Sequence, residues 1–294
     1  MLLGPGPTAG ELAAQQPPPG EKPPAPGDQP PKAAAGQRQR VGTLIRIRPP
    51  LSEATQHRVV QMAKSFVQRA AQGEKQPVIV FQLTPGEYSF GAAYDLAESI
   101  VQLSGALTVA YVPHDYQGRG QVFRGHGVLI ALACDQIYLG PECRIGEAGA
   151  GSQTIPAPVR SAYVDIAQKR RTVPVALALG MLDPAVEVWE VQTTELVRRY
   201  VLREELEQLE KKTTLVKPQQ PLVPRGEVAL FSAREAVRLG IAYVAEDRSA
   251  LARALELPDA ALQEDLSLDG GWRGLLVRID EPLSARFVER IQDR

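Results

Sequence analysis

The run Pro77–Leu83, Pro-Val-Ile-Val-Phe-Gln-Leu, constrains this chain more than any other stretch. Only Gln82 interrupts it, and it lacks the polar alternation of a strand with one wet face. A run of this kind suits a strand covered on both faces, as in a parallel sheet flanked by helices. Its neighbours agree. Thr43–Arg48 alternates apolar and basic residues and reads as a strand that Pro49-Pro50 ends. Ser52 is placed to cap a helix carrying Val59, Val60, Ala63, Phe66, Val67 and Ala70 at helical spacing, closed by Gly73. After the turn Thr84-Pro85-Gly86 the pattern predicts a helix from about Gly91 to Leu103 and a strand at Leu107–Val112. Strand, helix, strand, helix, strand argues for parallel crossover units in an α/β domain.

Beyond a polar loop at Pro113–Phe123, Gly125–Ala133 reads as a short helix apolar all round, and therefore buried. Ile137–Leu139 and Cys143–Ile145 are short strands, and Val159–Arg171 is an amphipathic helix. Val186–Lys212 reads as a long charged helical stretch, with Val197–Lys212 its solvated part. Ser232-Ala233-Arg234-Glu235 is a capping box opening a helix that stops at Gly240, and Ile241–Ala245 forms the closing strand. These elements define a domain over residues 41–250, followed by a linker at 251–270. Gly274–Ser284 then matches Gly42–Ser52 at seven of eleven positions. Residues 271–294 accordingly read as the start of a second, truncated copy.

Residues 1–40 hold ten of the 25 prolines. Such a composition cannot bury enough apolar surface to offset its ordering entropy, and it reads as a disordered linker. A net charge of −1 argues against nucleic acid, whose binding rests on clustered cations. Cys134 and Cys143 are too few for a disulfide framework, and Cys134 lies in an apolar run as a small buried hydrophobe. No apolar run is long enough to span a bilayer. The start, Met1–Pro5, is not a signal peptide as it stands, which leaves either a cytosolic protein or a start downstream of a targeting segment.

Three separated motifs carry a resemblance. They are Leu83-Thr84-Pro85-Gly86 with its following helix; Gly125–Leu139 with Gly140-Pro141 and Ile145–Gly149; and Phe231–Ala236 through Leu239-Gly240-Ile241-Ala242. In this order the chain resembles the ClpP/crotonase superfamily, most of all the NfeD-like membrane-associated serine proteases and their signal-peptide-peptidase relatives. The resemblance spans about residues 41–250. It implies an α/β fold built as a repeated β-β-α superhelix with a mostly parallel sheet. It also implies a serine endopeptidase of Ser–Lys type without cofactor or metal. A peptide or membrane-protein substrate or partner, homo-oligomers, and membrane attachment through segments absent from this chain follow from the same resemblance, with an extracytoplasmic rather than cytoplasmic location.

Carried over residue by residue, the site departs from that pattern. The turn's backbone N–H groups would stabilise an oxyanion, which assigns the oxyanion or substrate-binding role to Gly86, Glu87 and Gly127. Glu87 stands where the family keeps a second Gly, and a carboxylate beside an oxyanion is electrostatically wrong unless it turns away. The nucleophile position falls on Gly125, with His126 beside it. The base should fall near Ser152–Val159, where there is no Lys, and the guanidinium of Arg160 stays protonated. The expectation is a degenerate protease homologue. Two alternatives stand beside it: an active peptidase pairing His126 with Ser89 or Ser152, and a non-enzymatic oligomeric scaffold at a membrane. The crotonase branch would bring acyl-CoA, for which no diagnostic feature is present. The three histidines lack zinc-site spacing.

Overall fold

In the computed structural model, residues 39–193, 198–211, 214–216 and 220–262 are described. The opening follows the sequence closely. Strand β1 (Arg40–Ile47) leads to helix α1 (Glu53–Gln72), where the Ser52 hydroxyl accepts from the Thr55 amide at 3.2 Å. Strand β2 (Gln76–Leu83), helix α2 (Phe90–Val101) and strand β3 (Leu107–Val112) follow. A short strand β4 (Val122–Phe123) lies inside the stretch read as a loop. The apolar segment after it opens with a 3-10 turn at Gly125–Gly127 and continues as α3 (Val128–Leu132), every residue of which is buried. Then come β5 (Gln136–Leu139), β6 (Arg144–Gly146), α4 (Ala157–Arg170) and α5 (Val175–Gly180).

Five strands make one parallel sheet in the order β1-β2-β3-β5-β11, the last being Tyr243–Val244. A second sheet pairs β4 with β6 in parallel and β6 with β10 (Leu230–Ser232) antiparallel. Two turns of the chain, β3-β4-α3 and β5-β6-α4, thus give a strand to each sheet before their helix. A parallel sheet with helices packed on it is the α/β architecture that the strand-helix rhythm implies.

Because strand side chains alternate, the two faces of the parallel sheet can be read directly. Ile45, Ile47, Ile79, Phe81, Ala110 and Val112 face the main core under α1 to α5. Leu44, Val78, Val80, Val109 and Tyr111 face the other way. That second face is covered by α8 (Arg248–Ala254) and a 3-10 turn at Asp259–Leu262, through Leu251, Leu255, Leu257 and Leu262. The residues expected as a linker from 251 therefore include a packed cover as far as Leu262. The β2 run needed it: without that cover Val78 and Val80 would face water. The Pro-rich 1–38 and the near-repeat at 271–294 lie outside the described residues.

Of the long charged helical stretch expected within Val186–Lys212, the described residues are helical at α6 (Arg203–Glu210). Before it run β7 (Val188–Thr193) and β8 (Arg198–Leu202), which form an antiparallel sheet with β9 (Leu215–Val216). Trp189, Val191, Val201 and Leu206 form a small core of their own. On the other face Glu190 takes up Arg198 at 3.1 Å and Arg238 at 2.8 Å. The local composition favours helix, but burial of Trp189 and Val191 two residues apart demands strand spacing, and tertiary packing decides. The capping box at Ser232 is formed as expected and opens α7 (Ala233–Arg238).

Candidate functional site

The turn after β2 is tied down before any chemistry is considered. The Thr84 amide donates to the Ile47 carbonyl at 3.0 Å, and the Tyr88 hydroxyl lies 2.8 Å from the Thr84 carbonyl and 3.2 Å from that of Ile47. Burial pushes the Tyr88 phenol far above its ordinary range, so it stays protonated as a donor. Gly86 has φ +150°, and any side chain there would run into the Pro49 ring. Gly86 and Glu87 are exposed, and among the described residues their amides donate to no protein acceptor.

Tyr88 also reaches the start of the buried helical segment. A Cβ on Gly127 would meet the Tyr88 ring at 2.7 Å and Phe123 at 2.9 Å, so this glycine is where the two motifs touch. Tyr88 and Phe123 pack edge to face, ring centroids 6.1 Å apart. Two residues earlier the setting is the opposite. Gly125 has φ +74°, its amide donates to Glu147 at 3.2 Å, and a Cβ would meet nothing within 4 Å. The position can hold a small side chain in space, at the strain an L residue bears in the left-handed region.

His126 is half-buried among aromatic rings. Phe90 lies edge-on at 5.4 Å and itself stacks with Tyr94 at 5.9 Å. The imidazole Nδ1 is 3.4 Å from the hydroxyl of the fully buried Tyr163. Desolvation lowers the His126 pKa, and it raises that of Tyr163 far above the ordinary phenol range. Both groups are therefore neutral at neutral pH, and Tyr163 can donate to Nδ1.

Of the two serines that could partner His126, Ser89 is exposed at the N-cap of α2 and makes no capping bond. It is the neighbour of Phe90, yet the hydrogen bond of His126 goes to Tyr163. Ser152 lines a cleft with Gly149, Gly151 and Arg225. Arg160, next to the segment where a Lys base would fall, is held by Asp183 at 2.8 Å. The other histidines stand elsewhere: His57 is exposed on α1, and His114 Nε2 is 2.5 Å from the Pro141 carbonyl. Among the described residues no group of His, Cys, Asp and Glu could hold a metal ion. Cys134 and Cys143 are both buried and free.

The structure thus brings together the turn at Gly86, the Gly125–Gly127 segment and His126. Sequence reasoning missed Tyr88, Phe90 and Tyr163, the three rings that join them. Tyr163 had no local signal. Tyr88 had a faint one, as an aromatic residue set just past a turn whose carbonyls needed a donor.

Buried polar contacts fix the far end of α3. Arg170 reaches Asp135 at 2.6 Å and the Ile100 carbonyl at 2.5 Å. Asp135 also accepts from the Thr108 amide at 2.8 Å and hydroxyl at 2.7 Å, and Thr172 donates to the Cys134 carbonyl at 2.6 Å.

No protein-family model and no curated protein matches the sequence. Among solved structures the chain is similar to a mutant of the membrane-bound stomatin-specific protease 1510-N in complex with a substrate peptide. Identity is 14%, coverage 87% of this chain and 99% of that one, and the TM-score 0.46. It is also similar to ThnE from S. clavuligerus, at 14% identity, 75% and 79% coverage and a TM-score of 0.40. An enoyl-CoA hydratase/isomerase family protein from Silicibacter pomeroyi gives 14% identity, 79% and 86% coverage and a TM-score of 0.38. Among the described residues, no helix is long and apolar enough to cross a membrane.

Proposed function

We propose that this domain is a serine-protease homologue of ClpP/crotonase type that binds peptide without hydrolysing it. The observation that carries this reading is Gly125. On the resemblance it falls where the nucleophile would stand; it has left-handed φ and open space around it, while the turn at Gly86 is anchored through Tyr88. A nucleophile needs a base within hydrogen-bond reach. The nearest candidate cation in sequence, Arg160, is bonded to Asp183, and His126 is bonded to Tyr163. Glu87 beside the turn adds a negative charge where an oxyanion would need positive potential.

The experiment is labelling with a fluorophosphonate probe. The wild-type chain is expected to remain unlabelled under conditions that label an active serine hydrolase, and stoichiometric labelling would overturn the reading. The resemblance also supports a homo-oligomer working at a membrane on the extracytoplasmic side, tethered by hydrophobic segments outside this domain. Sedimentation tests the assembly, and a strict monomer at high concentration would sink it. The near-repeat at Gly274–Ser284 supports reading 271–294 as the opening of a second domain of the same type.

A further inference from the structure

A cleft of about 540 Å³ is lined by Gly149, Ser152, Gln153, Pro184, Arg225 and Gly226 among others, and Gly149 lies two residues after Glu147, whose carbonyl receives the Gly125 amide. Its size lies in the range of small-ligand and side-chain pockets. Its walls are cross-braced through the backbone. The Ala148 amide donates to Met181 at 2.7 Å, Gly226 to Pro184 at 2.7 Å and Ala229 to Gly180 at 2.8 Å. Glu147, whose carbonyl receives the Gly125 amide, donates its own amide to Ala229 at 2.7 Å. Glu147 therefore ties Gly125 to Ala229, the residue after Val228 in the cleft lining. Gly149 packs so closely on the Leu182 carbonyl that no side chain fits there.

The polar side chains lining this cleft are exposed to solvent; Arg225 can only donate, and Ser152 and Gln153 can donate as well as accept. Among the described residues the guanidinium of Arg225, the hydroxyl of Ser152 and the amide of Gln153 make no hydrogen bond to protein. The carboxylate built into the wall, Asp183, does not neutralise Arg225. Its side chain is 5% exposed and is taken up by Arg160 at 2.8 Å and the Ala185 amide at 2.9 Å. One guanidinium with two neutral donors suits a single negative charge, whereas phosphate groups draw clusters of arginines.

We infer that this cleft receives the carboxylate of a bound peptide, with Arg225 as its counter-charge and Ser152 and Gln153 as neutral donors. The inference rests on the peptide-binding reading above and adds a preference to it. The carboxylate could be a C-terminus or an acidic side chain, and the chemistry is the same.

The test uses the full chain and one fluorescein-labelled apolar heptapeptide in three forms: free C-terminal carboxylate, C-terminal amide, and amide with one internal Glu. Fluorescence anisotropy should show at least one carboxylate form binding about tenfold tighter than the neutral amide, the scale of one charge-assisted bond. Whichever form gains identifies the source. Arg225→Gln should abolish the gain while leaving binding of the neutral amide unchanged, Arg225→Lys should keep part of it, and Ser152→Ala should reduce it a few-fold. Equal binding of all three forms, or a gain that survives Arg225→Gln, overturns the inference and leaves the peptide-binding reading standing. No binding by any form overturns both.

Discussion

Gly125 and Gly127 are two residues apart and have opposite surroundings. Gly127 has no room for even a methyl group, because Tyr88 and Phe123 fill the space. Gly125 has room but a backbone that resists side chains. The same contrast separates the floor of the site from its mouth. The floor is crowded and bonded, through Tyr88 and Phe123 at Gly127 and, at the far end of α3, through the Asp135–Arg170 contacts. Away from that packing, Glu87 at the turn and Arg225 in its own cleft are exposed, and Gly125 has no side chain. The packing that holds such a segment in place and the side chains that would do chemistry beside it depend on different residues.

The largest expected effect comes from the floor. Arg170→Ala leaves Asp135 without its cation and removes one of the donors to the Ile100 carbonyl, which keeps the Leu103 amide. The pair is mostly buried, with side-chain exposures of 13% and 31%, and breaking such a pair costs about 3 kcal/mol. Urea unfolding should show that loss. Arg225→Gln, away from that packing, should stay within about 0.5 kcal/mol of wild type. Equal losses at the two sites would break the comparison.

Next in size is Gly127→Ala. The added methyl must displace the Tyr88 ring, and overpacking of this kind costs about 2 kcal/mol. Because Tyr88 bonds the Thr84 carbonyl, the turn should loosen with it, and amide exchange over residues 84–88 should speed up. A tolerated Gly127→Ala would mean that the two motifs are not coupled through this ring.

Gly125→Ser sharpens the contrast from the other side. It meets no atom and bears only the left-handed strain, about 1 kcal/mol. Labelling of this variant by fluorophosphonate, with none of the wild type, would show that the turn still stabilises an oxyanion. A folded Gly125→Ser that stays unlabelled would place the defect in Glu87 and the absent base as well.

Much of this floor was legible from sequence, and the reason is periodicity. The β2 run announced a strand covered on both faces, Gly125–Ala133 announced a buried helical segment, and Ser52 and Ser232 announced their caps. What was hidden depended on contacts between distant segments. The β7–β8 hairpin carries a helix-like composition, and only the separate core around Trp189, Val191 and Val201 makes strand spacing favourable. The cover by Leu251 and Leu255 looked like a linker because nothing local says that the far face of β2 needs one. The motifs singled out Gly86, Gly125 and His126, and the contacts of Tyr88 and Phe90 bring their segments together. Tyr163 is 37 residues from His126, and its role rests on a contact that no spacing encodes.

The smallest effect tests where His126 belongs. Its imidazole has left bulk water and has its pKa lowered below the ordinary 6.5 by that burial. The unfolded chain therefore binds a proton at higher pH than the folded one. Stability should be at its plateau above the unfolded value, fall as pH drops through 6.5, and level off once the lower folded value is passed. His126→Phe, which keeps a ring between Phe90 and Tyr163, should flatten that part of the profile between about pH 5 and 8. Chemical unfolding at a series of pH values reads it directly. A slope that is unchanged in His126→Phe would show that His126 titrates as if in water and belongs to the open mouth. A slope that disappears would place it with the floor, as a packed ring whose proton chemistry serves the fold.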